Sequence, residues 1–401
     1  MPVWACLASP GSASRPGPAA VAELDAALGA MRTLSIRRNT VDWPELRRQA
    51  VDRLGAAHAR TAAQADATIG TVVRQLGDHH SSLASAAEVA DSDRGQVRSF
   101  GITVLFPEGT VAAVAPGGPA DRAGIASGDH VSSIGGRRLV DHRGLAAIPN
   151  ADRPVPFVVN GRSVVVQPAA VATDLPPVVR RLSGGLGYVE LPTASDGDPV
   201  AFAGQVQRAI AAVDASDQPA CGWVVDLRRN RGGDPFRMLA AVGPLLGDGP
   251  LGAYHFESGQ NQLLAYRDGE ARLDDRAMAA PLGLPYRLRR PNPPVAVLTS
   301  RLTASAAEEV AVAFAGRPGT RRFGEPTRGV PTLNQGVDLP SGARLWITTA
   351  TVTDRDGRSY AGPIPPDNPV RTDWSDFAGG ADPVLSAAQN WLAGAPACRQ
   401  A

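Results

Sequence analysis

The sequence predicts a multidomain α/β protein with an N-terminal helical domain, a small β domain and an α/β core built on a largely parallel sheet. Three observations predict it. Apolar residues recur at helical spacing from Ala19 to about Leu76. Residues 97 to about 168 read as short strands broken by Gly-Pro and Asn-Gly turns. From Ala169 onward, strand-like and helix-like segments alternate, as they do in layered α/β domains. At 401 residues the chain exceeds one ordinary core. The expected divisions are a disordered tail at 1–18, a helical domain at 19–94, a β domain at 95–170 and the core at 171–401.

In the helical domain, VAELDAALGAM is one amphipathic segment. WPELRRQAVDRLGAAHA is the second, with Asp42 as its cap and Pro44 in its first turn. AQADATIGTVVRQLG is the third and ends at Gly77. The polar loop Gly77–Leu83, GDHHSSL, follows. Its adjacent His79 and His80 have no carboxylate at ligand spacing, so no metal site is expected. The β domain should contain a strand at Ile102–Phe106, a short helix at Ala120–Ala123, a strand at His130–Ile134 and a hairpin at Pro154–Pro168 turning on Asn160-Gly161. In the core, strands are expected at Gly187–Leu191, Trp223–Leu227, Val295–Leu298 and Leu345–Thr351. Helices are expected at Val200–Val213, Phe236–Leu246 and Ala306–Phe314. Residues 250–290 mix charged and aromatic side chains without a period and are a candidate flap.

Composition narrows the function classes. Lys+Arg 40 against Asp+Glu 39 leaves no charge excess, which argues against nucleic acid or acidic lipid as the main partner. No apolar run approaches the ~18 residues of a membrane span. The start, MPVWACLASPGSASRPGPAA, has neither the basic region nor the long apolar stretch of a signal peptide. Its Val3–Cys6 is similar to a bacterial lipoprotein cleavage site, but only five residues precede the cysteine. Cys6, Cys221 and Cys398 are far apart, so neither a disulfide framework nor a zinc site is expected, and Cys221 reads as a small core residue.

Two segments carry chemistry. Ser305 stands where the Val295–Leu298 strand hands over to a helix N-terminus, in PVAVLTSRLTASAAEE. A hydroxyl there can face open space beside free backbone N–H groups, or it can simply cap the helix. WVVDLRRNRGG, residues 223–233, is a buried strand running into paired glycines, where the backbone can approach a bound group. Together, strand–DLRxNxGG and strand–TASAAE resemble the tail-specific, or C-terminal processing, serine peptidases, the family that includes the tricorn core. The resemblance implies an α/β peptidase core of the ClpP/crotonase-like layered type. It also implies Ser305 as nucleophile and an oxyanion hole from Gly232 or Gly233 together with Ala306. Residues 97–168 resemble a PDZ domain. Phe100, Gly101 and Ile102 would then hold a peptide's C-terminal carboxylate beside a strand edge at Ile102–Phe106. A PDZ fold serving only as a spacer is the alternative. The family implies a peptide or protein substrate, no cofactor and an exported or envelope-associated protein, and it leaves a homo-oligomer open.

The general base departs from the best-known branch. Processing peptidases read GEPTFGKG and use that lysine. Here the GEPT turn continues as TRGV, which puts Val330 at the lysine position and Asn334 at that of a helper glutamine. The chain contains no lysine at all, and a guanidinium such as Arg328 does not accept a proton near neutral pH. The Gly77–Ser81 segment resembles the family's G-D-x-H-[ST], which implies His80 as the base and leaves His79 at a variable, solvated position. His58, His130, His142 and His255 fall in other contexts. The residue orienting His80 stays open among Tyr360, Asp354, Asp356 and Asn334. Three functions follow: a serine peptidase using Ser305 and His80, a catalytically inactive peptide-binding protein, or an acyl or ester hydrolase on the same machinery.

Overall fold

The structure, a computed structural model, describes residues 15–139, 153–172, 175–194, 199–215 and 218–399. The chain divides into two compact units, residues 1–90 with 334–349 and residues 91–333 with 350–401. Cys6, His142 and most of the expected 1–18 tail lie outside the described residues.

The first unit contains the helices Pro18–Leu34, Trp43–Ala56 and Asp66–Gln75. Leu24, Ala27, Leu28 and Met31 recur on one face of the first helix and are buried, as a 3.6-residue period requires. Asp42 caps the second helix by accepting the Glu45 N–H at 3.1 Å. The core formed by Leu24, Met31, Leu54 and Ile69 also takes in Leu345 and Ile347. The sequence pattern assigns Leu345–Thr351 to the α/β core, yet residues 334–349 belong to the helical unit. Here Leu83 pairs with Leu345 and Ser82 with Trp346 in an antiparallel register. The fully buried Glu23 accepts the Ser341 hydroxyl at 2.6 Å.

The second unit begins with the β domain. Its core is formed by Phe100, Val111, Val131, Ile134 and Phe157, with the two phenyl rings edge to face at 5.2 Å. Asn160 (φ 49°) and Gly161 (φ 77°) make the expected left-handed turn between the strands Val155–Val159 and Arg162–Val166. Ile102–Leu105 pairs with Thr110–Val114 and, among the described residues, with no other strand.

The rest of the second unit is built on a six-stranded sheet in the order Val178–Leu182, Leu186–Glu190, Gly222–Asp226, Val295–Thr299, Thr320–Gly324 and Asn368–Pro369. Only the first pair is antiparallel. Gly222–Asp226 and Val295–Thr299 are buried at every position, because both faces are covered. Trp223, Val225, Val295 and Val297 pack with the helices Pro199–Asp214 and Ala306–Phe314. Val224, Ala296 and Leu298 point the other way, onto Leu385, Ala388 and Leu392 of the helix Pro383–Ala393.

Three expectations are corrected. Residues 250–290 are no flap: Gly249–Phe256, Asn261–Arg267, Glu270–Leu273 and Arg276–Ala279 form an antiparallel meander, joined through Gly252–Phe256 to residues 350–354. A register shift between Pro250 and Gly252 interrupts its alternation, and any Cβ on Gly252 would lie 2.0 Å from the Thr353 carbonyl oxygen. The helix expected at Phe236–Leu246 is two, Pro235–Ala241 and Gly243–Leu246, since Pro244 lacks the N–H to continue the first. Cys221 is not an isolated core residue; it is disulfide-bonded to Cys398 across a separation of 177 residues.

The disulfide joins the sheet to the C-terminal helix Pro396–Arg399. Replacing both cysteines by serine should lower stability by about 2–5 kcal/mol, visible as a lower unfolding midpoint. Thiol titration of the unfolded, unreduced chain should find one reactive thiol among its three cysteines. Three thiols would show that the bridge does not form.

Candidate active site

Ser305 precedes the helix Ala306–Phe314 with φ 54° and ψ −125°. An ordinary N-cap residue has extended backbone. A non-glycine residue held at positive φ costs roughly 1–3 kcal/mol and persists only where its surroundings over-determine it. Here they do. The Ser300 hydroxyl donates to the Arg228 carbonyl at 2.7 Å and the Thr303 hydroxyl to the Leu227 carbonyl at 2.9 Å. The Ala304 N–H donates to the Asn230 carbonyl at 3.2 Å. The loop before Ser305 is thus fastened to the DLRRN turn at three points, which presents the serine on a sharp strand-to-helix elbow.

A buried carboxylate completes the elbow. Glu308, fully buried, accepts four hydrogen bonds: from the Thr327 hydroxyl at 2.5 Å, and from the N–H groups of Gly329 at 2.8 Å, Val330 at 2.9 Å and Ser305 at 2.9 Å. Burial raises its pKa, and these bonds oppose the rise. Thr327 Oγ1 in turn accepts the Ile364 N–H at 2.8 Å. The GEPTRG turn is therefore tied to the Ser305 loop by the third residue of the serine's own helix. Val330, at the position of the family lysine, is buried and serves this clamp through its backbone.

The two glycines have different parts. A Cβ on Gly232 would lie 2.8 Å from Ser305 Cβ and 3.2 Å from its Oγ, so only glycine fits beside the serine. The Gly232 N–H is engaged by Asn230 Oδ1 at 2.8 Å, and Asn230 Nδ2 donates to the Pro192 carbonyl at 2.8 Å. Gly233 adopts φ 124°. Among the described residues, the N–H groups of Gly233 and Ala306 make no backbone hydrogen bond. For Ala306, the first helical residue, that is the orphan donor of a helix start.

Beneath the turn lies an ion cluster that motif reading overlooks. Arg228 is fully buried and bridges Asp226 and Asp382, at 2.7 Å to each. Tyr188 donates to Asp226 at 2.9 Å, and Phe377 lies 4.4 Å from the guanidinium. Behind the serine's helix, Tyr254 donates a hydrogen bond to the fully buried Glu309. Burial pushes the Glu309 pKa up to about 7.

In the first unit, Asp78 Oδ1 accepts the N–H groups of His80 at 3.0 Å and Ser81 at 2.7 Å. Asn334 Nδ2 donates to the His80 carbonyl at 3.1 Å, so Asn334 holds that residue's backbone. His79 is exposed at φ 61°, whereas His80 is partly buried. The other named candidates lie in the second unit: Tyr360 donates to Asp354 at 2.8 Å, and Asp354 accepts the Asp356 N–H at 3.0 Å. His255 lies between Asn261 and Thr353. In the β domain, Phe100 is a core side chain, and the Gly101 N–H is engaged by Ser99 Oγ at 3.1 Å. That domain meets the loop before Ser305 through Glu108–Arg301 at 2.8 Å and through Leu105, Ala112, Leu302 and Trp374.

Residues 185–370 match Peptidase family S41, and residues 110–148 match the PDZ domain. The nisin-resistance protein of Lactococcus lactis subsp. lactis is 35% identical over 147 residues, covering 36% of this chain and 45% of that protein. The carboxy-terminal-processing protease of Bartonella bacilliformis is 25% identical over 306 residues, covering 71% of this chain and 64% of that protein. The chain thus spans less than two thirds of the length of either relative. The solved photosystem II D1 C-terminal processing protease shares the fold, with a TM-score of 0.61, 22% identity and coverage of 95% of this chain and 98% of that one. These matches agree with the family resemblance carried by the two sequence motifs.

Glu309 gives the site a pH signature. Its folded pKa, about 7, lies above the ordinary 4.5, so its contribution is fully present below the ordinary value and is lost as pH rises through about 7. Glu309→Gln should therefore be more stable relative to the native chain at pH 8 than at pH 5, by on the order of 2–3 kcal/mol. Denaturant unfolding at the two pH values measures this. Burial raises Asp234 and Glu190 as well, so the comparison between variants is the informative one. An equal offset at both values would mean that Glu309 is not a buried acid.

Proposed function

We propose, for a chain whose residues 185–370 match Peptidase family S41, a serine peptidase that hydrolyses peptide bonds through Ser305 with His80 as general base. The observation that carries this reading is the backbone of Ser305, at φ 54° and ψ −125°, pressed against Gly232 with the N–H groups of Gly233 and Ala306 at hand. That is the local build of a nucleophile and its oxyanion hole. His80 takes the Ser305 hydroxyl proton as Oγ attacks the scissile carbonyl, and the Gly233 and Ala306 N–H groups receive the negative charge. The proton then passes to the leaving amine, and water attacks the acyl-enzyme by the same route in reverse.

The base is a histidine because the chain has no lysine. Asp78 and Asn334 hold the His80 backbone, and such fixing suits a residue whose ring must be aimed. In this reading the PDZ-like domain takes a peptide's C-terminus at Phe100–Ile102, supported by the one-sided pairing of Ile102–Leu105. The relative named a carboxy-terminal-processing protease points to cleavage near the C-terminus of a protein or peptide. The Cys221–Cys398 disulfide suits an exported or envelope-associated protein, since such bonds persist in oxidising compartments.

Ser305→Ala should abolish hydrolysis of a peptide substrate while leaving the unfolding midpoint nearly unchanged. His80→Ala should lower kcat/KM by at least about a hundredfold, the double variant should lose little more, and His79→Ala should be far milder. Native activity in Ser305→Ala would exclude the mechanism. A large loss in His79→Ala instead of His80→Ala would move the base by one residue.

A further inference from the structure

Two arginines rise from the turns on either side of Ser305. Arg231 sits between Asn230 and Gly232, with its N–H held by Thr193 Oγ1 at 2.9 Å. The next residue, Gly232, is the one packed against Ser305. Arg328 sits between Thr327 and Gly329, both bound to Glu308, and its N–H donates to the Thr303 carbonyl at 2.9 Å. Both backbones are therefore fixed relative to the serine.

Both side chains are exposed, and among the described residues neither guanidinium is ion-paired. The neighbouring cations are all engaged. Arg228 bridges Asp226 and Asp382, Arg229 lies over Phe377 at 3.6 Å and Arg301 pairs with Glu108. The carboxylates of the elbow, Glu308 and Glu309, are buried and already hydrogen-bonded. Burial chiefly, and the Arg328 charge second, lower the Arg231 pKa.

We infer that Arg231 and Arg328 form a subsite for a substrate carboxylate beside Ser305, supplied either by a free C-terminus or by an aspartate or glutamate side chain. The inference rests on the peptidase reading and adds substrate class to it. A guanidinium fork matches a carboxylate in two parallel hydrogen bonds, and it stays charged at any working pH.

The test uses the full chain carrying Ser305→Ala and three peptides of one sequence: neutral with a free C-terminus, amidated with an internal glutamate, and amidated with no acid. Fluorescence anisotropy gives each affinity with and without Arg231→Gln/Arg328→Gln. The double variant should lose roughly ten- to a hundredfold in affinity for a carboxylate peptide and little for the neutral one. Loss confined to the free-acid peptide assigns the subsite to a C-terminus, and loss confined to the glutamate peptide assigns it to a side chain. Because Phe100–Ile102 is unaltered, the loss reports on the arginines. Arg231→Lys/Arg328→Lys keeps the charge without the fork and should retain part of the preference, which guards against simple misfolding. Unchanged affinity for both carboxylate peptides, or an equal loss for all three, overturns the inference. Labelling of native Ser305 by a fluorophosphonate tests the peptidase reading separately, and its failure would leave the binding result standing.

Discussion

The Glu308 carboxylate is the interaction on which the region around Ser305 depends. An ionised carboxylate in a water-free interior is costly unless every oxygen lone pair finds a donor. Glu308 meets that demand with donors from two separated stretches, Ser305 on one side and Thr327, Gly329 and Val330 on the other. The strain at Ser305 is thus balanced locally, and the GEPTRG turn cannot move without exposing a buried charge. Arg328 inherits its position from the same clamp, since both of its neighbours are bound to that carboxylate.

A second buried charge cluster fixes the opposing turn. Arg228 with Asp226 and Asp382 ties the end of one central strand to the start of the helix Pro383–Ala393, which Asp382 also caps. Removing one member of such a cluster leaves an uncompensated charge, typically at a cost of about 3–5 kcal/mol. The two clusters therefore hold the two glycine-bearing and serine-bearing turns from beneath, and the sheet between them is covered on both faces. Preorganisation of this kind is what a hole for developing negative charge requires.

Much of this was legible in the sequence where the signal was local. The helix Ala306–Phe314, the fully apolar strands and the Asn160-Gly161 hairpin all follow from period and turn chemistry. What escaped depended on distance along the chain. Cys221 and Cys398 share no short-range pattern, and nothing local brings them together. The Gly249–Ala279 meander hides because a bulge shifts its alternation. The differing parts of Gly232 and Gly233 are set by the Asn230 side chain, which a motif records only as a letter. The Glu of TASAAE reads as a helix-start acid, and its clamp becomes visible only when the distant GEPTRG turn is placed beside it.

The membership of residues 334–349 in the helical unit has a consequence for biosynthesis. Residues 18–90 leave the ribosome well before residues 334–349, yet Leu345 and Ile347 belong to their core and Ser341 is the partner of buried Glu23. That unit cannot close until residues 334–349 have emerged. In the interval its three helices would carry an incomplete apolar face, the kind of surface that aggregates or recruits chaperones. Closing a loop of this length adds little equilibrium cost, because the entropy grows only logarithmically, but it slows folding. The unit carrying His80 would thus be assembled late, after most of the Ser305 unit has been translated.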